Sequence, residues 1–224
     1  EDGAQIYFFD KGKSSRALVL GIGGDFFDLG AEGALALKPL EAIDDSVERA
    51  WALEWIEGLI VEAGVAVDPE LRQELWRALE VLADRPPEDR TLTLYAALVQ
   101  APAVRGAFDA FIGAGPDARL LDADRSTLGY GAIQAFEMDE IMRRPRAAAA
   151  VLAVIFHALE RRFDGRPTLL VLDEGWLFLK DNYFAARIQD WLKTLRKKNV
   201  AVVFASQEQA DIEASTIAST IIEA

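Results

Sequence analysis

The sequence predicts an α/β protein that is built on a parallel central sheet and carries a mainly helical insertion. Two short and almost wholly apolar runs, Leu169–Leu172 and Val200–Ala205, have the composition of strands buried on both faces. The segment 184–198 between them has the apolar spacing of an amphipathic helix, and parallel strands require such a crossover. From about residue 45 to 130 the apolar pattern is mostly helical, so we expect that stretch to lie beside the sheet.

Further strands are predicted on both sides of the helical stretch. Gln5–Phe9 and Ala132–Phe136 are β-prone runs that we expect to join the two apolar strands. Arg16–Leu20 is another apolar strand candidate, and a glycine-rich tight turn between strands is predicted after it. Asp25–Asp28 fits a strand or a turn.

Capping residues mark helix starts in the helical stretch. Asp45 and Glu48 resemble a capping box, and Asp68 precedes a proline at the first helical position. The single histidine, His157, falls in a predicted helix from Pro145 to Arg162. Because no acidic partner is evident for it in the sequence, we interpret His157 as a packed or capping residue, and a histidine-based catalytic triad has little support.

We expect two domains: an incomplete sheet core formed by residues 1–44 and 131–224, and a mainly helical insertion subdomain formed by residues 45–130. A chain of 224 residues is long enough to bury such a core. The sequence begins at Glu1 without a methionine, so we interpret the chain as a piece of a longer protein.

The composition argues against several classes of function. The chain has no cysteine, so it forms neither a disulfide framework nor a thiolate metal site. Its formal net charge of −13 argues against extensive wrapping by nucleic acid or an anionic membrane, and any nucleic-acid contact is expected to be local, weak and salt-dependent. No apolar run approaches the ~20 residues of a membrane span, and no signal peptide is evident.

The tripeptide Gly12-Lys13-Ser14 copies the last three residues of a phosphate-binding loop, but the rest of that motif is missing. The motif requires glycine at position 7, which is Tyr7 here. The phenylalanines that follow Tyr7 would keep phosphate away from the backbone amides. We therefore predict a strand and a polar turn, and no phosphate-binding loop in this chain.

Asp173 and Glu174 close the apolar run that ends at Leu172, where a strand leaves its sheet. Ligands of α/β sheets bind at the carboxyl ends of the strands. At that position Asp173 can hold the water shell of a nucleotide-bound Mg²⁺, and Glu174 can orient or deprotonate the attacking water. The pair therefore indicates a Walker B motif of the Asp-Glu type.

Ser206 and Gln207 follow the second apolar strand in the same way. A polar pair next to an acidic pair on neighbouring parallel strands is typical of the sensor position of nucleotide-driven motors, where Gln207 would contact the attacking water or the γ-phosphate. The alternative is that both residues cap a helix over Glu208–Ala214.

A series of short motifs runs through nearly the whole chain: Phe9–Gly12, Trp51–Trp55, Phe136–Met138, Phe163–Pro167, Leu172–Phe178, Trp191–Asn199 and Phe204–Gln207. In this order they resemble the TrbE/CagE/VirB family of conjugative-transfer ATPases, the cytoplasmic motors of bacterial type IV secretion systems. The motifs of the final third are the most specific.

The resemblance implies a RecA-like P-loop NTPase core of the HerA/FtsK type with a helical insertion, and ATP and Mg²⁺ as cofactors. Asp173 and Glu174 match the Walker B acids, with Asp173 holding Mg²⁺ through water, and Gln207 matches the sensor glutamine. Arg196 stands where related ring motors carry an arginine that reaches a neighbour's nucleotide. Cations such as those of the basic cluster around Arg196 are also favoured at the carboxyl end of a helix. Three possibilities therefore stay open: Arg196 acts between subunits, Lys197 does so, or neither does.

The family further implies self-association as a hexamer or dimer at the cytoplasmic side of the bacterial inner membrane. Expected partners are other type IV secretion components, including the coupling protein and inner-membrane subunits. The family's phosphate-binding loop is expected upstream of Glu1, so we predict that this chain alone hydrolyses ATP poorly or not at all. Two alternatives remain open: a non-catalytic assembly or docking module of the same machinery, and a DNA translocase of the HerA/FtsK type.

Overall fold

The computed structural model describes residues 3–31, 33, 35–173, 191 and 194–205. These residues form two compact units. The sheet unit draws on described residues within 1–30, 130–140 and 158–224, and the helical unit on those within 31–129 and 141–157.

In the part of the chain that the structure describes, the sheet unit contains five strands and the short helix Arg16–Gly21. Its elements are β1 (Gln5–Asp10), α1 (Arg16–Gly21), β2 (Asp25–Asp28), β3 (Ile133–Glu137), β4 (Thr168–Leu172) and β5 (Val200–Phe204). The helical unit contains α2 (Ser46–Glu62), α3 (Pro69–Ala83), α4 (Leu92–Leu98), α5 (Pro102–Phe108), α6 (Ala118–Leu121) and the part of α7 (Pro145–Glu160) up to His157. Short 3-10 turns lie at Pro87–Asp89, Ile141–Arg143 and Leu195–Lys198.

The five strands form one sheet in the order β2-β3-β1-β4-β5, and every neighbouring pair is parallel. The parallel sheet and its four predicted strands near 5–9, 132–136, 168–172 and 200–205 are therefore confirmed. An aromatic stack fills part of the core: the rings of Phe9 and Phe136 are 5.0 Å apart, and those of Phe27 and Phe136 are 5.6 Å apart. The predicted crossover helix over 184–198 lies largely outside the described residues.

The strand predicted at Arg16–Leu20 is wrong, because this segment forms helix α1. A five-residue apolar run cannot distinguish a strand from a short helix by its periodicity. In the structure the amide of Val19 donates to the carbonyl of Ser15 at 2.9 Å, and of the helix's residues only Val19 is buried. Leu18 and Leu20 are 57% and 52% exposed, whereas an inner strand would bury residues on both faces.

The sheet ends at β5 on one side within the described part of the chain. Leu172 pairs with Phe204 on the inner edge of β5, and no described strand pairs with its outer edge. Val203 is 47% exposed there. An apolar parallel strand normally lies inside a sheet, so the outer edge of β5 could accept a further strand.

The helical unit uses the predicted caps. The Asp45 carboxylate accepts hydrogen bonds from the amides of Val47 and Glu48 at the start of α2, and Asp68 accepts from the amide of Leu71 at the start of α3. Trp55 lies on the buried side of α2 and its indole donates to the carbonyl of Ala150 in α7 at 3.1 Å. The predicted helical character of this stretch is thus observed.

The expectation that His157 lacks an acidic partner is wrong. Its Nε2 lies 3.0 Å from the Glu48 carboxylate, and its ring stacks on Trp51 with centroids 3.8 Å apart. Glu48 is 109 residues away in sequence, so only tertiary packing of α7 against α2 creates the pair. Both partners lie in the helical unit, which gives His157 a packing role there.

Tyr7 provides a test of the packing in the sheet unit. Its side chain is fully buried, and among the described residues its hydroxyl has no hydrogen-bond partner. A buried hydroxyl without a partner is destabilising, so Tyr7→Phe is expected to raise the free energy of unfolding by up to about 1 kcal/mol. Urea denaturation measures this change.

Tyr95→Phe is the matched control for Tyr7→Phe. The Tyr95 hydroxyl is equally buried, but it donates to the carbonyl of Leu75 at 3.2 Å. Burial also raises the pKa of Tyr95, so the hydroxyl stays protonated and remains a donor. Its removal should lower the free energy of unfolding by about 1 kcal/mol. A loss of stability in Tyr7→Phe as large as that in Tyr95→Phe would contradict the prediction.

Candidate active site at the carboxyl edge of the sheet

Asp173 lies directly after β4, at the carboxyl edge of the sheet. Its backbone amide donates to the carbonyl of Phe9 on β1 at 2.9 Å, and the amide of Ala205 donates to the carbonyl of Leu172 at 3.0 Å. The chain therefore leaves β4 and β5 side by side, at Asp173 and Ala205. Glu174 and Gln207, which the sequence predicts as catalytic residues, lie outside the described residues.

The backbone of Arg196 lies at the opposite edge of the sheet, where the strands begin. Its backbone belongs to the 3-10 turn Leu195–Lys198 that precedes β5, and the amide of Thr168 donates to the carbonyl of Asn199 at the amino end of β4. A strand of five residues spans roughly 16 Å, at about 3.3 Å per residue. The structure thus brings the carboxyl ends of β4 and β5 together and does not place the backbone of Arg196 beside Asp173.

The turn after β1 is held by a buried acid from β3. Glu137 is 1% exposed, and its carboxylate accepts hydrogen bonds from the amides of Gly12 at 3.1 Å, Lys13 and Asp139 at 2.8 Å. Gly12 and Lys13 both have positive φ angles, 86° and 62°, which turn their amides toward one acceptor. Because the protein's own carboxylate occupies these amides, they are not available to phosphate, in agreement with the prediction of an ordinary polar turn.

A second buried acid holds the other end of the same turn. Asp10 is 1% exposed, and its carboxylate accepts from the Ser14 hydroxyl at 2.6 Å, the Ser15 amide at 2.8 Å and the Ser15 hydroxyl at 2.7 Å. These bonds start helix α1 and fix the path from β1 into it. Neither Asp10 nor Glu137 is predicted as a structural residue from the sequence. The signal was present, because each acid directly follows the apolar part of a predicted strand.

Lys13 completes the contacts of the turn. Its ammonium lies 2.8 Å from the carboxylate of Asp28, the last residue of β2. This hydrogen bond and the negative charge of Asp28 raise the pKa of Lys13. Acids thus follow one another along the carboxyl edge in the order of the strands: Asp28 on β2, Glu137 on β3, Asp10 on β1 and Asp173 after β4.

The acids of this edge do not form a metal cluster in the part of the chain that the structure describes. No group of three or more histidine, cysteine or acidic residues with metal-binding geometry is found among the described residues. Asp28, Glu137 and Asp10 instead bind groups of the turn. A Mg²⁺ that arrives with a nucleotide keeps most of its water and needs only one or two carboxylates, so holding such an ion would not require a cluster of this kind.

No protein-family model matches the chain. Among curated proteins it is 40% identical over 228 residues to a probable conjugal transfer protein TrbE of Sinorhizobium fredii, covering 99% of this chain and 34% of that protein. It is 38% identical over 229 residues to the conjugal transfer protein TrbE of Rhizobium radiobacter, covering 99% of this chain and 28% of the relative. The type IV secretion system protein VirB4 of Bartonella henselae is 29% identical over 97% of this chain and 28% of its own length.

Two solved structures share the fold. VirB4 of Thermoanaerobacter pseudethanolicus aligns with a TM-score of 0.67 at 18% identity, over 95% of this chain and 64% of that one. The bacterial conjugative coupling protein TrwB aligns with a TM-score of 0.57 at 12% identity, over 99% of this chain and 60% of that one. At these identities the comparison establishes the fold alone.

The all-parallel sheet and its structural neighbours define an α/β protein with a RecA-like NTPase fold. Within that class, the chain belongs to the TrbE/VirB4 family of conjugal transfer and type IV secretion proteins. The chain spans about a third or less of the length of these curated relatives. Among the described residues, no helix combines the length and the apolar character needed to cross a bilayer.

Proposed function

We propose that this chain is part of an ATP-hydrolysing motor that energises type IV secretion, conjugative DNA transfer and pilus assembly. The observation that carries the proposal is the placement of Asp173 at the carboxyl end of β4, next to the end of β5. This is the edge at which parallel α/β sheets bind ligands. The family of the chain adds support, because its relatives are named for conjugal transfer and type IV secretion.

Each site residue has a proposed role in this motor. Asp173 holds the water shell of the Mg²⁺ that accompanies ATP, Glu174 orients or deprotonates the attacking water, and Gln207 contacts that water or the γ-phosphate. When bound, Mg²⁺ neutralises charge on the β- and γ-phosphates. Arg196 acts on the nucleotide of a neighbouring subunit, a role supported by its position on the opposite edge of the sheet from Asp173.

The phosphate-binding loop is proposed to come from outside this chain. The amides of Gly12 and Lys13 are occupied by Glu137, so the only loop that copies part of the motif does not serve phosphate. No described strand pairs with the outer edge of β5, so this edge suits an additional parallel strand. We therefore propose that a strand leading into the phosphate-binding loop of the longer protein pairs with β5.

The assembled motor is proposed to work as a hexamer or dimer at the cytoplasmic side of the inner membrane. Its proposed partners are the coupling protein and the inner-membrane subunits of the secretion system. Names of the relatives and neighbours support this setting, since they include a type IV secretion system protein and a conjugative coupling protein. The net charge of −13 supports protein partners over extensive DNA contact by this chain.

The test compares ATP hydrolysis by this chain and by the longer protein that includes the upstream segment. We expect background turnover from the chain alone and Mg²⁺-dependent turnover from the longer protein. Glu174→Gln in the longer protein should lower kcat by about 100-fold or more, because general base catalysis contributes at least that much. Asp164→Asn is a control, since Asp164 is half exposed and pairs with Arg166 away from the carboxyl edge.

Three results would overturn the proposal. Robust turnover by the chain alone that depends on Glu174 would contradict the need for an outside phosphate-binding loop. A longer protein that stays inert even with its secretion partners would instead favour the non-catalytic docking module. Tight DNA binding that persists at high salt would favour a DNA translocase of the HerA/FtsK type.

A further inference from the structure

Two lysines of the turn after β1 differ in their surroundings. Lys13 is 53% exposed and its ammonium is paired with Asp28 at 2.8 Å. Lys11 is partly buried, and among the described residues no hydrogen bond or ion pair involves its side chain. An ammonium that gives up water needs an anion to receive its hydrogen bonds, and the Lys11 side chain is available to an anionic ligand.

The two buried acids that hold the turn, Asp10 and Glu137, are already occupied. The carboxylate of Asp10 accepts from Ser14 and Ser15, and that of Glu137 accepts from backbone amides. The same bonds fix the backbone of the turn that carries Lys11 before any ligand binds. A backbone that is ordered in advance loses less conformational entropy when a ligand binds to the turn.

Lys11 follows directly after β1, the strand next to the one that ends at Asp173. Phe9 on β1 is the register partner of Leu172 on β4, and the amide of Asp173 donates to the carbonyl of Phe9. Lys11 therefore begins the turn on the strand next to Asp173, and neighbouring strands are only about 4.8 Å apart. An extended lysine side chain covers that separation.

We propose that Lys11 binds a phosphate oxygen of the nucleotide held at the carboxyl edge beside Asp173. This inference rests on the proposed function, because it needs a nucleotide at that edge. A lysine ammonium is a compact point charge and a common ligand of phosphate. It would supply a positive charge next to the acidic row, where the charge of a nucleoside triphosphate otherwise faces Asp10, Glu137 and Asp173.

The test measures binding of a fluorescent ATP analogue, N-methylanthraniloyl-ATP with Mg²⁺, to the longer protein and its variants. Lys11→Gln is expected to weaken binding by about 10-fold or more, the equivalent of losing one charge-assisted hydrogen bond. Lys11→Arg should restore most of the affinity, since it returns the charge. Melting temperatures should be the same for all three proteins, because the Lys11 side chain has no described partner to lose.

Lys13→Gln is the matched control, because it removes the same charge two residues away. It should lower the melting temperature through loss of the Asp28 contact and leave nucleotide affinity within about 3-fold of the parent. Unchanged affinity in Lys11→Gln overturns the inference, as does an equal loss in Lys13→Gln or a failure of Lys11→Arg to restore binding. Failure of the unsubstituted protein to bind the analogue overturns the proposed function itself, and this inference with it.

Discussion

Replacing Glu137 by alanine is expected to lower the free energy of unfolding by about 3 kcal/mol, because backbone donors around the turn lose their acceptor. The carboxylate receives hydrogen bonds from the amides of Gly12, Lys13 and Asp139. Water can reach part of the exposed turn, so the loss stays below the sum of three fully buried donors. Urea denaturation of the chain, followed by circular dichroism, gives the value.

Two further variants separate the role of Glu137 from a general effect of removing charge. Glu140→Ala removes an exposed acid three residues later and should change stability by no more than about 0.5 kcal/mol. Glu137→Gln keeps the shape but offers an amide N–H₂ toward backbone donors, so an intermediate loss is expected. If Glu137→Ala melts like the unsubstituted chain, Glu137 does not hold the turn.

The sheet was largely predictable from the sequence because two of its strands are short and almost wholly apolar runs. Leu169–Leu172 and Val200–Ala205 satisfy this condition and form β4 and β5. Arg16–Leu20 is also mainly apolar but forms a helix, and Asp10 binds Ser15, the residue that precedes the first helical residue. The composition of the run does not show where a helix starts, because the contact at that start comes from Asp10, which lies outside the run.

The candidate site was predictable in part. The position of Asp173 follows from the end of an apolar run, and the structure places it at the carboxyl edge. The hydrogen bonds of Glu137 to Gly12 and Lys13 join residues 125 and 124 positions apart, so sequence spacing could not reveal them. They become visible only once β3 is known to lie beside β1. Tertiary pairing therefore explains why the turn is not a phosphate-binding loop, which the sequence could argue only from a missing glycine.

Arg90→Met is expected to lower the free energy of unfolding by about 3 kcal/mol, because a buried guanidinium that joins separate backbone segments is lost. Arg90 is 6% exposed. It donates to the carbonyls of Arg85 at 2.9 Å, Ala83 at 3.0 Å and Glu41 at 2.7 Å, and it pairs with Asp44. The carbonyl of Ala83 lies at the carboxyl end of α3 and that of Arg85 lies just beyond it, where helical carbonyls have no partner within the helix.

The pH dependence of stability gives an independent readout of the same contact. The hydrogen bond from Arg90 lowers the pKa of Asp44. The unfolded chain therefore binds a proton at this position at higher pH than the folded chain does, and stability falls as the pH drops through the ordinary range of aspartate. Arg90→Met removes the cause of the shift, so the decline of stability toward acidic pH should become shallower.

Asp44→Asn and Arg85→Met complete the experiment. Asp44 is 66% exposed, so Asp44→Asn should flatten the same acidic limb with a much smaller loss at neutral pH than Arg90→Met. Arg85→Met removes an exposed arginine whose carbonyl, not its side chain, contacts Arg90, and it should be nearly neutral. A small loss in Arg90→Met would mean that water satisfies those carbonyls, and that the guanidinium does not hold the end of α3 against the segment before α2.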